Sequence, residues 1–203
     1  MRRVGPILDY SRCLDCGLHR HRCICASLEV HPTRVRIRFV QHIQELLKPT
    51  NSARLACRIL SSAEIVAWDR VAPPKLEPEA ILLYPLEGSL PLQPEELTES
   101  VSVVIPDGTW AQASRIANVL GHGRVRARTL PLGNHSLWTV RQCKDPERIS
   151  SAQAAAVVLE LAGEAQAAAS VMKALVEMDR AILSMRGIVR EPASDKVFPT
   201  REW

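Results

Sequence analysis

Residues 101–120 read VSVVIPDGTWAQASRIANVL, and this stretch decides the fold. The β-branched run at 101–105 is typical of a buried strand. Residues 111–120 have helical periodicity, and Gly121 follows as a stop signal. The polar turn Asp107–Trp110 therefore joins the end of a strand to the start of a helix, which is where α/β proteins bind ligands.

This turn has a structural interpretation and a functional one. In the first, Asp107 or Thr109 caps the helix and Trp110 packs, with packing in the core slightly favoured over stacking on a base. In the second, Gly108 lets a ligand approach the backbone, and the free N–H groups of the helix receive a negatively charged group. The rest of the chain must decide between them.

The composition is that of a soluble α/β protein with a small appendage. The chain has 203 residues, of which 46% are hydrophobic and 24% charged, with a formal net charge of +4. This mildly basic balance is compatible with nucleic acid without requiring it. Apolar runs are too short for a membrane span, and the N-terminus lacks the pattern of a secretory signal. We therefore expect a cytoplasmic protein with no membrane partner.

A cysteine cluster near the N-terminus indicates a metal site. Residues 13–25 read CLDCGLHRHRCIC, a C-x2-C-x6-C-x-C pattern. Thiols stay reduced in the cytosol, and four thiolates suit a closed, structural zinc site. An iron–sulfur cluster is the alternative, and two histidines in the segment are rival ligands. The predicted zinc ligands are Cys13, Cys16, Cys23 and Cys25.

The order of predicted elements indicates a mainly parallel sheet with helices on both faces. Further strands are predicted at 34–40, 64–68, 80–84 and 124–130. A helix capped by Ser52 covers 53–61. Gly163 divides a helical region from 150 to 184 into two helices, with a tolerated glycine inside one helix as the alternative. The loops 84–89, 105–110 and 130–136 follow strand ends and could converge on one site. Neither a G-x-G-x-x-G fingerprint nor a G-x-x-x-x-G-K-[ST] motif is present, so dinucleotide binding and ATP hydrolysis are not indicated.

Two of the predicted strands carry arginine at every second position. Such a row is either a charged face that blocks aggregation or a track for phosphates, and the pattern leaves both open. The first row is Arg34, Arg36 and Arg38, and the second is Arg124, Arg126 and Arg128.

Several short blocks, taken in order, resemble the DTW-domain family of tRNA-uridine aminocarboxypropyltransferases. They are the four-cysteine segment, His42-x-x-Glu45-x-x-Lys48-Pro-Thr50-Asn51-Ser52, Leu83-Tyr84-Pro85, Asp107-Gly-Thr109-Trp110, and a weaker block of Ser136 through Arg141 followed by Ile149–Ala154. Ile43 replaces a usual proline, and Gln153 stands where the family has glutamate. The amide of Gln153 keeps hydrogen-bonding capacity but not the charge.

The resemblance implies a fold, an activity and partners. The fold would be similar to that of SPOUT methyltransferases, with a C-terminal trefoil knot. Residues 1–30 would be the zinc module, 31–190 the catalytic domain that binds S-adenosylmethionine, and 191–203 a tail. The enzyme would transfer the 3-amino-3-carboxypropyl (acp) arm of S-adenosylmethionine to N3 of a tRNA uridine, releasing methylthioadenosine. A homodimer is allowed, because SPOUT relatives often dimerise.

The resemblance also implies site residues, matched by position. The catalytic set is Asp107, Thr109 and Trp110. The reaction needs a group that takes the N3 proton, and the carboxylate of Asp107 is the candidate base; the alternative is that Asp107 only fixes the loop or the amine of the donor. The residues predicted to bind the donor are Tyr84, Pro85, Gly88, Pro106, Asp107, Thr109, Leu130, Leu132, Ser136 and Arg141. The residues predicted to bind RNA are His42, Glu45, Lys48, Thr50, Asn51 and Ser52. The arginines Arg34, Arg36, Arg38, Arg124 and Arg126 are predicted to bind RNA as well. A cation for the donor carboxylate would come from Arg141 or Lys48.

Two other functions fit the same residues. An RNA methyltransferase of this fold would use the donor's methyl group and leave adenosylhomocysteine. A zinc-dependent RNA-binding protein without catalysis would bind RNA with a steep salt dependence and would not bind the donor.

Overall fold

The structure is a computed structural model that describes residues 11–46, 48–122, 125–131, 136–140 and 148–188. Strands and helices alternate along these residues. The strands are β1 (Arg36–His42), β2 (Ala63–Trp68), β3 (Ile81–Leu83), β4 (Leu90–Pro91), β5 (Ser102–Asp107) and β6 (Arg126–Thr129). The helices are α1 (Ser52–Ile59), α2 (Trp110–Gly121), α3 (Ser151–Leu161) and α4 (Ala165–Met185).

The six strands form one sheet in the order β2-β1-β5-β3-β6-β4, and all of its pairs are parallel. β1 and β5 are neighbours, and Gln41 near the end of β1 lies opposite Asp107 at the end of β5. The carboxyl ends of the strands therefore meet along one side of the sheet, here named the carboxyl edge. The predicted parallel α/β sheet with flanking helices is confirmed.

Helices cover both faces of the sheet. Phe39 and Ile105 belong to a large core cluster that includes buried residues of α1, α3 and α4. Val40 and Val104 belong to a second cluster, which α2 completes with Ile116. A strand covered on both faces must be apolar at consecutive positions, and the runs of β1 and β5 meet that requirement.

β1 begins and ends two residues later than the predicted strand at 34–40, so Gln41 and His42 lie in the strand and not in a loop. Two further local features differ from the sequence prediction. The cap of α1 is Asn51, whose side-chain oxygen accepts a hydrogen bond from the Arg54 N–H at 2.8 Å. Ser52 is the first helical residue instead. The second difference is β4, which pairs with β6 at the sheet edge. Its two residues are too few to produce a periodic pattern, and proline normally counts against a strand.

Gly163 divides the C-terminal helical region, as predicted. Its φ of +76° lies in the left-handed region, which ends α3 and lets the chain turn into α4. The two helices pack against each other and against the sheet. In α3 every residue from 152 to 159 is buried, so it is a core helix rather than an amphipathic surface helix.

The described part of the cysteine segment, residues 11–30 and here named the cysteine module, packs onto the α/β core. Cys16 and Leu18 are at most 1% exposed and belong to the large core cluster. Asp15 forms an ion pair with Arg58 of α1 at 3.7 Å. The predicted boundary between residues 30 and 31 stays a prediction, and these contacts join the two sides closely.

Some predicted features lie outside the described residues. They are Arg124, Leu132, Arg141 and the tail at 191–203. The trefoil knot stays a prediction as well, because its definition depends on the path of residues 132–135 and 141–147. Among the described residues, we find no helix that combines the length and the apolar character needed to cross a membrane.

Candidate active site

Asp107 lies at the carboxyl edge and is the centre of a buried hydrogen-bond cluster. It is 6% exposed. The Gln41 amide donates to its Oδ2 at 2.6 Å, the Asn51 amide donates to the same oxygen at 3.3 Å, and the Ser151 hydroxyl donates to Oδ1 at 2.5 Å. These donors stabilise the ionised carboxylate. They also tie β1, α1 and α3 to the end of β5.

Three helices begin around this carboxylate. Their N-caps are Asn51 for α1, Thr109 for α2 and Ser150 for α3. Asn51 contacts Asp107 directly, Thr109 follows it by two residues, and Ser150 precedes a residue that contacts it. Helix N-termini carry partial positive charge and free N–H groups. The carboxyl edge is therefore suited to an anionic group of a ligand.

In the turn after Asp107, two residues have structural roles: Thr109 caps α2, and Gly108 makes room for Gln112. The Thr109 hydroxyl accepts a hydrogen bond from the Gln112 N–H at 3.3 Å, and the Gln112 side chain accepts one from the Thr109 N–H at 2.8 Å, a capping box. A Cβ at Gly108 would lie 2.8 Å from the Gln112 Cβ. Glycine is thus required there by the packing of Gln112, whether or not a ligand approaches.

Trp110 is on the surface, so the expectation that it packs in the core was wrong. It is 39% exposed, and the Arg148 guanidinium lies 5.2 Å from the centroid of its ring. That distance is within the range of a cation–π contact. The indole is therefore partly exposed at the carboxyl edge, with the Arg148 guanidinium over its ring.

The predicted RNA-binding block forms the scaffold beside Asp107. His42 Nδ1 accepts a hydrogen bond from the Gln44 N–H at 3.3 Å, which caps a short 3-10 turn. Glu45 is 1% exposed and pairs with Lys48 at 2.5 Å. The Lys48 side chain is 40% exposed, so a ligand can still contact it. The other residues of this block lie at the start of α1 and are at least half-buried: Thr50, Asn51 and Ser52.

The predicted donor-binding loop after β3 also lies at the carboxyl edge. The Tyr84 N–H donates to the Arg128 carbonyl of β6 at 2.9 Å, which continues the sheet into the loop. Pro85 is exposed, and Gly88 turns the chain with a φ of +75°. Pro106 is buried within β5, and Leu130 follows β6 and packs on the large core cluster.

Residues 136–140, here named the 136–140 segment, are held by two buried polar side chains. Gln153 accepts a hydrogen bond from the Leu137 N–H at 3.0 Å. Asp179 of α4 accepts bonds from two N–H groups and one hydroxyl of the segment, at 2.8, 2.9 and 2.7 Å. Sequence reasoning missed Asp179, because a single acid inside a helix carries no signal. It also left Gln41 and Ser151 out of the site, although Gln41 directly follows a predicted strand and Ser151 belongs to the weaker family block.

The described arginines of the two rows, which exclude Arg124, are engaged in contacts within the chain. Arg38 pairs with Glu64 at 2.6 Å, and Arg128 pairs with Glu96 at 2.7 Å. The Arg128 hydrogen bonds hold the pKa of Glu96 below its ordinary value. Backbone carbonyl oxygens accept bonds at 2.9, 2.8 and 3.4 Å from Arg34, Arg36 and Arg126. The geometry favours the interpretation as a charged face, and phosphate contact stays a prediction.

The four predicted metal ligands are brought together by the fold. The sulfur atoms of Cys13, Cys16, Cys23 and Cys25 all lie within 4.8 Å of one another. Two Sγ–Sγ distances are 3.8 Å, from Cys13 to Cys25 and from Cys16 to Cys23. Tetrahedral zinc with Zn–S bonds of about 2.3 Å requires sulfur–sulfur separations of about 3.8 Å, so the four residues fit zinc.

Three of the four thiols differ in how readily they ionise. Backbone hydrogen bonds, chiefly at Cys16, lower the pKa of Cys13 to about 7. Burial raises the pKa of Cys16 and Cys25, and neighbouring thiols add to the effect at Cys25. Four crowded thiolates repel one another, so their simultaneous ionisation needs a metal to compensate the charge.

Fold and site together define an α/β protein with a parallel sheet, a buried polar cluster at its carboxyl edge and a four-cysteine module. A model of the DTW domain matches residues 10–183 of the sequence. The match includes the cysteine module, the site around Asp107 and most of α4. The chain belongs to the DTW-domain family.

A solved structure has a similar fold. It is the SAM-dependent rRNA:acp-transferase Tsr3 from Vulcanisaeta distributa, which superposes with a TM-score of 0.52 at 22% sequence identity. The match covers 75% of this chain and 79% of that one. At this identity the similarity establishes a common fold.

Proposed function

We propose that this protein transfers the acp arm of S-adenosylmethionine to N3 of a uridine in tRNA and releases methylthioadenosine. The observation that carries the proposal is the buried polar cluster around Asp107, which stands at the carboxyl edge in the family's D-x-T-W position. The similar fold of Tsr3, described as a SAM-dependent rRNA:acp-transferase, supports the same donor and the same transferred group.

The reaction makes few demands on the protein. The N3 atom forms a bond to the arm carbon next to sulfur, and the carbon–sulfur bond breaks. Its electron pair returns to the sulfonium, which becomes a neutral thioether. Because this leaving group is already activated, the protein must mainly hold the two reactants in line. The N3 proton must also leave, and it needs an acceptor.

Asp107 is the acceptor that we assign. Its carboxylate is buried, and the hydroxyl of the less buried Ser151 donates a hydrogen bond to Oδ1 at 2.5 Å. The proton can reach Asp107 through the Ser151 hydroxyl, which gives its own proton to the carboxylate as it receives one from N3. Gln41 and Asn51 hold the other oxygen throughout, so the carboxylate keeps its orientation.

The donor would occupy the loops of the carboxyl edge. Backbone groups near Tyr84 and in the 136–140 segment would hold its adenosine, and the helix N-termini around Asp107 would receive the carboxylate of the arm. Lys48 can add a cation, although Glu45 already neutralises part of its charge. The exposed indole of Trp110 offers a stacking surface for a nucleobase.

The partners and the location follow from the same proposal. RNA would cover the carboxyl edge and the cysteine module, and contact by the arginine rows would require each arginine to exchange its internal acceptor for a phosphate. The zinc ion, the cytoplasmic location and a homodimer belong to the proposal as well.

The product identifies the reaction. Purified protein is incubated with S-adenosylmethionine and unmodified bulk tRNA, and the nucleosides and the spent donor are analysed by mass spectrometry. We expect uridine heavier by one acp group, together with methylthioadenosine. A methylated nucleoside with adenosylhomocysteine would establish the methyltransferase instead. RNA binding without any product, in a protein that binds no donor, would establish the non-catalytic alternative.

The position of Gln153 gives a second prediction. Replacing Gln153 with alanine leaves the Leu137 N–H without its acceptor, at a cost of about 1–3 kcal/mol. We expect donor affinity to fall roughly tenfold in that variant, because the 136–140 segment loosens. Gln153→Glu keeps an acceptor oxygen and restores the residue common in the family, so affinity should stay within about threefold. Calorimetric titration with S-adenosylmethionine measures both, and a greater loss in the glutamate variant would contradict this role.

A further inference from the structure

We propose that the cysteine module, when it holds its metal, positions residues 48–51 of the active site through a direct backbone contact between Gly17 and Pro49. Residues 48–51, here named the 48–51 segment, end at the Asn51 that contacts Asp107. The metal would then act on substrate binding from a distance, without touching either reactant. The inference rests on the proposed function only for the choice of ligands in the test.

The contact between the two segments leaves no room for a side chain. Gly17 has a φ of +76°, and a Cβ there would lie 2.9 Å from the Pro49 Cα and 3.3 Å from the Pro49 carbonyl oxygen. Carbon atoms in contact normally stand about 3.5–4.0 Å apart. Because the closest partner is backbone, it cannot rotate away, and any side chain at position 17 must displace the 48–51 segment.

Gly17 belongs to the turn that the metal closes. The Gly17 N–H donates to the Cys13 carbonyl at 2.9 Å, and the Cys13 N–H donates to the Leu18 carbonyl at 2.7 Å. Two of the four predicted sulfur ligands belong to this turn: Cys13 begins it, and Cys16 directly precedes Gly17, the residue that contacts Pro49. A bound metal fixes the turn through its cysteines, and Leu18 fixes it through contacts with the core.

The 48–51 segment carries the constraint onward to Asp107. The Asn51 N–H donates to the Lys48 carbonyl at 3.2 Å, and the Lys48 N–H donates to the Glu45 carbonyl at 3.1 Å. The Asn51 side chain then donates to Asp107 Oδ2 at 3.3 Å. A shift of Pro49 by roughly 0.5–1 Å would therefore reach the hydrogen-bond cluster, where a misplacement of about 1 Å can cost about 100-fold in rate.

The chain offers a matched pair of glycines for the test. Gly163 has the same φ as Gly17, +76°, but a Cβ there would meet nothing within 4 Å. Gly17→Ala and Gly163→Ala therefore impose the same backbone strain, and only the first adds the collision with Pro49. Both full-length variants are purified with zinc. Their metal content, their affinity for S-adenosylmethionine, their kcat and KM, and the hydrogen exchange of amides 46–52 are compared with wild type.

We expect one zinc per chain in both variants. In Gly17→Ala, exchange at 46–52 should accelerate about tenfold, and kcat/KM should fall by about 10-fold to 100-fold, while Gly163→Ala matches wild type in both. Equal behaviour of the two variants would overturn the proposal. If the protein proves to have no transferase activity, the exchange readout still decides whether the module positions the segment.

A second measurement covers the case in which Gly17→Ala fails to fold. Zinc is removed from the wild-type protein with a chelator, and hydrogen exchange is followed at 46–52 and in β5. Exchange at 46–52 should rise on metal removal while β5 stays protected. Unchanged exchange at 46–52 after the metal has left would refute the coupling.

Discussion

Asp107→Asn should lower the rate of acp transfer at neutral pH by roughly 10²–10⁴-fold, the range typical of a lost general base. The amide cannot accept the N3 proton of uridine. It also presents an NH2 group where the carboxylate accepts bonds from Gln41, Asn51 and Ser151. Single-turnover rates with saturating donor and tRNA, measured from neutral to alkaline pH, give the size of the effect.

The pH dependence separates proton transfer from structural support. At alkaline pH uridine N3 ionises without help, so the deficit of Asp107→Asn should shrink as the pH rises if Asp107 takes the proton. A deficit that is the same at every pH would mean that Asp107 acts only by holding its three donors in place. Asp179→Asn is the matched control, because Asp179 also accepts three hydrogen bonds but lies on α4. Its effect should appear in KM for the donor and should not vary with pH.

Cys16→Ser should release zinc and lower the free energy of unfolding by at least about 3 kcal/mol. The variant removes one of the four predicted metal ligands. It also places a hydroxyl in the core, because Cys16 is 1% exposed. For a chain of this length the melting temperature should fall by roughly 6–12 °C. Metal analysis by mass spectrometry and thermal unfolding followed by circular dichroism measure the two effects.

Cys57→Ala provides the cysteine control. Cys57 lies on α1 outside the four-cysteine set, and burial raises the pKa of its thiol to about 12, so it stays protonated. This variant should keep its zinc and lose no more than about 1 kcal/mol. Iron in place of zinc in the purified wild-type protein would contradict the assignment of the metal, and an unchanged melting temperature in Cys16→Ser would contradict its structural role.

The architecture was predictable because its signals are local. The β-branched run before Asp107, the alternation of strands and helices, and Gly163 each act over a few residues, and each prediction is confirmed. The cysteine spacing was equally informative, since it predicted which four side chains the fold brings together. The two-residue β4 and the cap of α1 depend on pairing and side-chain geometry, which periodicity does not report.

The site was predictable only in part, because its contacts join distant segments. The turn at Asp107 could be recognised from the sequence, but its donors come from positions 41, 51 and 151. The use of Gln153 and Asp179 to hold the 136–140 segment depends on how α3 and α4 pack. Trp110 illustrates the limit at a single residue, since an indole on a helix start can be buried or exposed and only the packing of its neighbours decides.

The hydrogen-bond cluster at Asp107 also has a consequence for how the chain folds. A carboxylate that enters the interior before its partners arrive is costly to bury. The three donors among the described residues are contributed by segments 66, 56 and 44 residues away along the chain, so they gather only after long loops have closed. The cluster should therefore form late, once β1, α1 and α3 have reached their places. In a chain with any of these elements misplaced, water would stay at Asp107. The protein would therefore become active only when its fold is complete.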